Sequence, residues 1–173
     1  MEIEEKSRML FMKYAVPCAG TLVQRGSARQ EYVDMLIAAV KNNRPIPKDA
    51  ERIFKVAFAA CSLIAKDSGK KEIDADIVHQ YFLFGHDTAV SKRYGEMGDF
   101  DPQACRIRPG VVRKMGNGFA VVENSLGRSR YKADYCDVKE GDLVVTHWDF
   151  IVEKIDRATT EKMKKQKKQL QVL

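Results

Sequence analysis

The chain carries four cysteines, Cys18, Cys61, Cys105 and Cys136, separated by 43, 44 and 31 residues. No two stand in a Cys-x-x-Cys arrangement, so the spacing excludes a zinc ribbon, a thioredoxin-type site and most iron–sulfur patterns. Cys18, Cys61 and Cys136 lie in apolar company and are expected to act as small buried hydrophobes. His79 and His86 are seven residues apart, two helical turns on one face, which permits a metal site with Asp87; a helix surface also produces such pairs without one. A second chemistry is legible in alternation. Arg128, Arg130 and Lys132 project from one face of a strand with Tyr131 on the other, and Arg106 and Arg108 alternate as well. A small barrel with such a basic face and one or two aromatics (Tyr131, Trp148) is the form single-strand nucleic-acid binders take, although a barrel exterior must be polar in any case. The sequence holds no phosphate-cradling glycine loop, no His-Glu-x-x-His and no Gly-x-Ser-x-Gly, so catalysis is the least supported class and no enzyme is expected.

The elements that must position these residues change character along the chain. The first hundred residues have helical periodicity. Ile3 to Tyr14 brings Met9, Leu10, Met12 and Tyr14 before Pro17. Ser27 and Gln30 have the form of a capping box, followed by Val33, Leu36, Ile37 and Val40 at helical spacing. Pro45 and Pro47 break that run, and Asp49 can start a third helix with an apolar stripe of Ile53, Val56, Ala57, Ala60, Cys61 and Ile64. Asp74 is a plausible N-cap for a fourth, lined by Ile77, Val78, Tyr81 and Phe82 and running out near Tyr94. Residues 95–102 then combine two glycines, a proline and three acids, which is linker chemistry.

Beyond it, period two replaces period 3.6. Val111-Val112 leads through Gly116-Asn117-Gly118 into Phe119-Ala120-Val121-Val122, a hairpin signal. Asn124 to Gly127 turns into Arg128–Lys132, Glu140-Gly141-Asp142 turns into Leu143–His147, and Phe150-Ile151-Val152 comes next. Short strands at this spacing predict a small barrel or compact sheet. From Ala158 the chain is rich in lysine and favours a helix.

Composition narrows the classes. The chain has 173 residues, 45% hydrophobic and 31% charged, and no apolar run long enough to span a membrane. Its start, Met1-Glu2-Ile3-Glu4-Glu5-Lys6, is acidic where a secretory signal would be basic and then apolar. A cytoplasmic setting with reduced thiols is therefore expected. The net charge of +6 is concentrated: residues 154–168 carry seven basic side chains against Asp156 and Glu161, leaving the rest of the chain nearly neutral. A run of that kind is more often a solvated helix than a binding arm.

The strand-rich half opens with Cys105-Arg106-Ile107-Arg108-Pro109-Gly110-Val111-Val112. It closes with Gly141-Asp142-Leu143-Val144-Val145-Thr146-His147, running on through Trp148-Asp149 to Phe150-Ile151. This pair of segments resembles the HypC/HupF family of hydrogenase-maturation chaperones, in which a Cys-x-x-x-Pro-Gly start and a Gly-Asp-x-Val-x-x-His-x-x-Phe segment bracket a small barrel followed by a helix. The resemblance covers roughly residues 104–165 and is silent on the helical half. It implies a non-enzymatic carrier that binds a maturation protein of the HypD type, or the hydrogenase large subunit, and helps build or deliver an iron centre. On this resemblance Cys105 and His147 are the iron-associated residues, and iron is a transient ligand rather than a tightly bound cofactor. A thiolate is a soft ligand suited to low-spin iron, an imidazole supplies a second ligand or a proton, and neighbouring Arg106 and Arg108 would favour the thiolate. Pro109, Gly110, Trp148 and Phe150 become the partner-binding residues, with Trp148 as an anchor. The chain departs from the family in one conspicuous way. The family's cysteine follows the initiator methionine, whereas 104 residues precede Cys105.

The resulting expectation is an α+β protein of two domains. Residues 1–95 form an all-α bundle, 96–103 a linker, 104–157 a HypC-like (OB-like) barrel with Cys105 opening its first strand, and 158–173 a basic helix. Its expected work is to bind other proteins, with iron at an exposed Cys105 near His147. Nucleic-acid binding through Arg106, Arg108, Arg128, Arg130 and Lys132, or a metal-free scaffold, are the alternatives, and no membrane partner is expected.

Overall fold

The computed structural model describes residues 1–93 and 101–170, the last two and Arg93 by backbone only. The chain is α+β and divides into two compact units, Met1–Phe100 and Asp101–Leu173. Most of the expected linker, residues 96–100, and the helix end near Tyr94 lie outside the described residues. No described helix is long and apolar enough to cross a membrane.

The first unit is helical: α1 (Glu5–Ala15), a 3-10 turn (Val16–Cys18), α2 (Ala19–Gln24), α3 (Gln30–Lys41), a second 3-10 turn (Ala50–Ile53), α4 (Lys55–Asp67), α5 (Ala75–His79), a π-helical stretch (Gln80–Gly85) and α6 (His86–Arg93). Among the described residues, six α-helices thus replace the four expected. Their core is aromatic. Phe82 stacks on Tyr14 with ring centroids 4.9 Å apart and meets Phe11 edge-on at 5.6 Å, and Phe11 reaches Phe54. Val33, Leu36 and Val40 of α3 are buried as their spacing predicts. Ile3 is not helical: it forms a parallel bridge with Ile73 and is buried there.

Three local expectations are corrected. The residue before α3 is Arg29, in extended conformation, and the Gln30 side chain donates forward to Asp34 at 2.8 Å instead of back across Ser27. Asp49 adopts a left-handed backbone (φ 60°) and precedes only a 3-10 turn, so α4 begins six residues later. The apolar stripe of α4 is shallow, because of its residues only Cys61 is buried while Val56 is exposed. Asp74 does cap α5, its carboxylate accepting the Ile77 N–H at 3.1 Å.

The second unit begins with a single helical turn, α7 (Pro102–Cys105), in which Asp101 accepts the Gln103 N–H. Five strands come next, β1 (Arg108–Met115), β2 (Phe119–Asn124), β3 (Gly127–Lys132), β4 (Leu143–His147) and β5 (Phe150–Lys154), then α8 (Arg157–Leu170). The strands close into a barrel in the order β1-β2-β3-β5-β4, antiparallel except where β3 meets β5. Alternation puts Val112, Ala120, Val122, Val144 and Ile151 inside with Val138, and Met115, Tyr131, Ala133 and Cys136 pack around them. An extra residue between Val112 and Lys114 bulges β1, which bends the strand as barrel closure requires. The hairpin at Gly116-Asn117-Gly118 forms as predicted, with Gly118 at φ 72°.

Pro109 and Gly110 have structural reasons here. Pro109 pairs with Val145 of β4 before β1 has picked up β2, so its missing N–H faces no second strand. A Cβ on Gly110 would stand 2.5 Å from Val122 Cγ1 and 2.9 Å from the Glu123 carbonyl oxygen. Gly110→Ala is accordingly expected to destabilise the chain by about 2–3 kcal/mol, because backbone as well as side chain must yield; urea unfolding measures it. Asp74 gives a pH prediction. Burial pushes its carboxyl up, but the Lys70 ammonium at 2.5 Å and the Ile77 amide outweigh that and hold it below the ordinary value. A depressed folded value stabilises above the unfolded pKa of roughly 3.9 and is lost as pH falls through the folded one. Asp74→Asn should therefore lower stability at pH 7 and flatten the acid limb of a stability–pH profile, the two profiles converging below the folded pKa.

Candidate functional site

The register of β1 with β4 pairs Arg108 with Thr146. His147 is therefore the last residue of β4, just beyond the point where β1 begins. Cys105 lies three residues before β1, and α7 turns it back. The Trp148 N–H donates to the Ala104 carbonyl at 3.2 Å, tying the β4–β5 turn to that helical turn. The result is that Cys105 Sγ lies 3.9 Å from His147 Nε2, across 42 residues of sequence. Both residues are buried.

Arg108 fixes the turn from below. Its guanidinium donates to the Gln103 carbonyl at 2.5 Å, to Gln103 Oε1 at 2.8 Å and to the Arg106 carbonyl at 3.2 Å, and the residue is buried. Thr146 Oγ1 donates to the Arg108 carbonyl at 3.2 Å. The chain reverses over Trp148 and Asp149 between the paired His147 and Phe150, with Trp148 at φ 51°. A bulky side chain in that region is strained, and such strain persists where its surroundings hold it. Here the Trp148–Ala104 hydrogen bond is part of what holds it.

The chemistry of the pair suits a metal. Bonds of about 2.3 Å to a thiolate and 2.0 Å to an imidazole, at a tetrahedral angle, set the two ligand atoms roughly 3.5 Å apart. The observed separation needs only a small adjustment, whereas a thiol is a weak hydrogen-bond donor. Two expectations about Cys105 are corrected. It ends a helical turn and does not open the first strand, and it is buried, not exposed.

The expected partner-binding residues are placed differently from a docking surface. Pro109 and Gly110 lie buried in β1. Phe150 is buried with its ring stacked on Tyr135, 4.7 Å between centroids. Trp148 is half-buried. The five basic residues do not share one role either. Arg108 is committed to the α7 turn and Arg106 is half-buried. Arg128, Arg130 and Lys132 are exposed together on β3, as alternation predicts, yet each is engaged. Arg128 reaches Glu123 at 3.2 Å, Arg130 covers the Phe119 ring at 3.7 Å, and Lys132 bonds Asp149 at 2.6 Å. The lysine-rich α8 buries Met163 and Thr160, and Lys167 donates to the Ile107 carbonyl, so part of this helix packs against the chain instead of standing as an arm.

In the helical unit, His79 and His86 are separated by the π-helical stretch. A π-helical stretch does not keep 3.6 residues per turn, so spacing by two α-helical turns does not set the relation of the two rings. His79 meets Tyr14 edge-on, while His86 has a ligand atom within 4.8 Å of that of Cys18. Sequence reasoning had no signal for this second Cys–His pair, since 68 residues separate its members. Cys61 behaves as the expected buried hydrophobe, and burial pushes its thiol up to about 12. An open hollow of about 1020 Å³ lined by Gly26–Arg29, Tyr32, Met35 and Ile53 contains none of these groups.

No family model matches the chain, and no curated protein matches it either.

The burial differences give a direct readout. In the metal-free native protein a thiol reagent is expected to modify half-buried Cys18 and Cys136 first. Cys61 and Cys105, both buried, should react more slowly. Labelling followed by mass spectrometry checks this, and a Cys105 as fast as Cys136 would contradict the buried placement.

Proposed function

We propose that the chain is a HypC-like accessory protein that takes up iron through Cys105 and His147 while a metal centre is assembled. The observation that carries the reading is the buried Cys105–His147 pair, 3.9 Å apart. The barrel supports it as well. The two sequence segments that resemble the family run from the end of α7 into β1 and along β4 into β5, β1 and β4 pair directly, and a helix comes after β5. Its partners would be a maturation protein of the HypD type or the hydrogenase large subunit, and iron would be cargo that passes through. The protein would act by binding and transfer, without turnover of its own, in a reducing cytoplasm where thiols persist.

Because Cys105 is internal and hydrogen-bonded scaffolding surrounds it, its thiolate would receive iron at a fixed position. The Trp148–Ala104 and Arg108–Gln103 bonds would hold that position during exchange.

The test is anaerobic purification of the native protein with its partners, followed by iron analysis and infrared spectroscopy. Cyanide and carbonyl bands are expected in the wild type, absent in Cys105→Ala and weakened in His147→Ala. A metal-free protein that retains the same partner with or without Cys105 would reduce the reading to a barrel kept for binding alone.

A further inference from the structure

The helical unit carries a donor pair that the proposed iron site does not use. Cys18 closes the 3-10 turn after α1, behind Pro17, and is half-buried. His86 opens α6 and is buried. Their ligand atoms approach within 4.8 Å.

Three features around His86 belong to a metal ligand more than to a core histidine. The first is its entry from a π-helical stretch, Gln80–Gly85. Such stretches are rare, cost regular hydrogen bonding and occur frequently at functional sites. This one leads directly into His86. The second is the carboxylate beside the ring. His86 Nδ1 lies 3.4 Å from Asp87 Oδ1, and that aspartate is itself nearly buried. A carboxylate on one ring nitrogen is what orients a metal-bound histidine and raises the basicity of the other nitrogen. The third is fixation of the ring, which stacks on Phe82 and meets Tyr81 edge-on, each at 6.0 Å between centroids. The position of the ring is thus set before any ligand arrives.

We propose that Cys18 and His86 are metal ligands, oriented by Asp87, that supply one thiolate and one imidazole to a thiophilic ion of the zinc, iron(II) or copper(I) type. The donor set selects against magnesium and calcium, which take oxygen ligands. Thiolate binding releases the Cys18 proton, so affinity rises with pH until the thiol is ionised. The inference goes beyond the proposed function. It stands on residues of the helical unit, whether or not Cys105 and His147 carry iron.

Cobalt(II) is the probe, because its visible bands report coordination geometry and its near-ultraviolet charge-transfer band reports thiolate. The full chain is titrated anaerobically with cobalt, with zinc as competitor. Cys18→Ser, His86→Gln and Asp87→Asn are compared with Cys61→Ser as the control cysteine and Cys105→Ser as the variant of the other reading. Cys18→Ser is expected to lower the charge-transfer intensity and to weaken cobalt at least tenfold. His86→Gln should weaken it similarly while leaving thiolate charge transfer at saturating cobalt. Asp87→Asn, a positioning variant, should weaken it by a smaller factor and shift the visible bands. Cys61→Ser should match the wild type. Far-ultraviolet circular dichroism of each metal-free variant establishes that the helices remain. Folded Cys18→Ser and His86→Gln proteins that bind cobalt with wild-type affinity and spectrum would overturn the proposal. Loss confined to Cys105→Ser would overturn it too, while leaving the iron reading standing.

Discussion

The hydrogen bond from the Trp148 amide to the Ala104 carbonyl is the contact on which the candidate site depends. Barrel closure brings β1 beside β4, but the register alone leaves Cys105 beyond the end of the ladder, where the chain could run in any direction. The bond joins the turn that carries Cys105 to the turn beyond His147. It does so at the one bulky residue of the hairpin with a left-handed backbone. A single neutral hydrogen bond contributes only about 1 kcal/mol net. It suffices here because Arg108 adds three bonds from its charged fork to the same helical turn. Charge-assisted bonds are roughly twice as strong as neutral ones, and a planar guanidinium holds several acceptors in one geometry.

This explains why residues that invite a surface role are spent on structure. Arg108 looked available for a phosphate or a thiolate, and it is consumed by backbone carbonyls. Pro109 and Gly110 looked like part of a docking motif. One tolerates a missing ladder bond, and the other makes room for Val122. The exposed cations of β3 are similarly satisfied by Glu123, Phe119 and Asp149. Exposed pairs of this kind stabilise little.

Much of this was legible in the sequence wherever a local rule decides. Alternation at Val112, Ala120, Val122, Val144 and Ile151 specifies strands with one buried face, and Gly118 specifies the hairpin. Asp74 reads as a cap because its side chain needs only the amide three residues on. The pairing of Cys105 with His147 was reachable through motif order. What failed was non-local. The stripe on α4 has the right period, but how deeply a helix sinks depends on its neighbours, and Val56 stays in solvent. The box at Ser27 was outcompeted by an extended Arg29 and the Gln30–Asp34 bond. The π-helical stretch has no simple residue signature, so the shift of His86 towards Cys18 could not be read from spacing that assumes 3.6 residues per turn.

Whether iron sits on Cys105 is decided by X-ray absorption at the iron edge of anaerobically loaded protein, wild type against Cys105→Ser. A thiolate-and-imidazole site predicts a sulfur shell near 2.3 Å, the length typical of a metal–thiolate bond, together with imidazole scattering, and the variant should lose sulfur intensity. An iron environment of oxygen and nitrogen alone, or a sulfur shell that the variant leaves unchanged, would contradict the assignment of Cys105 as the ligand.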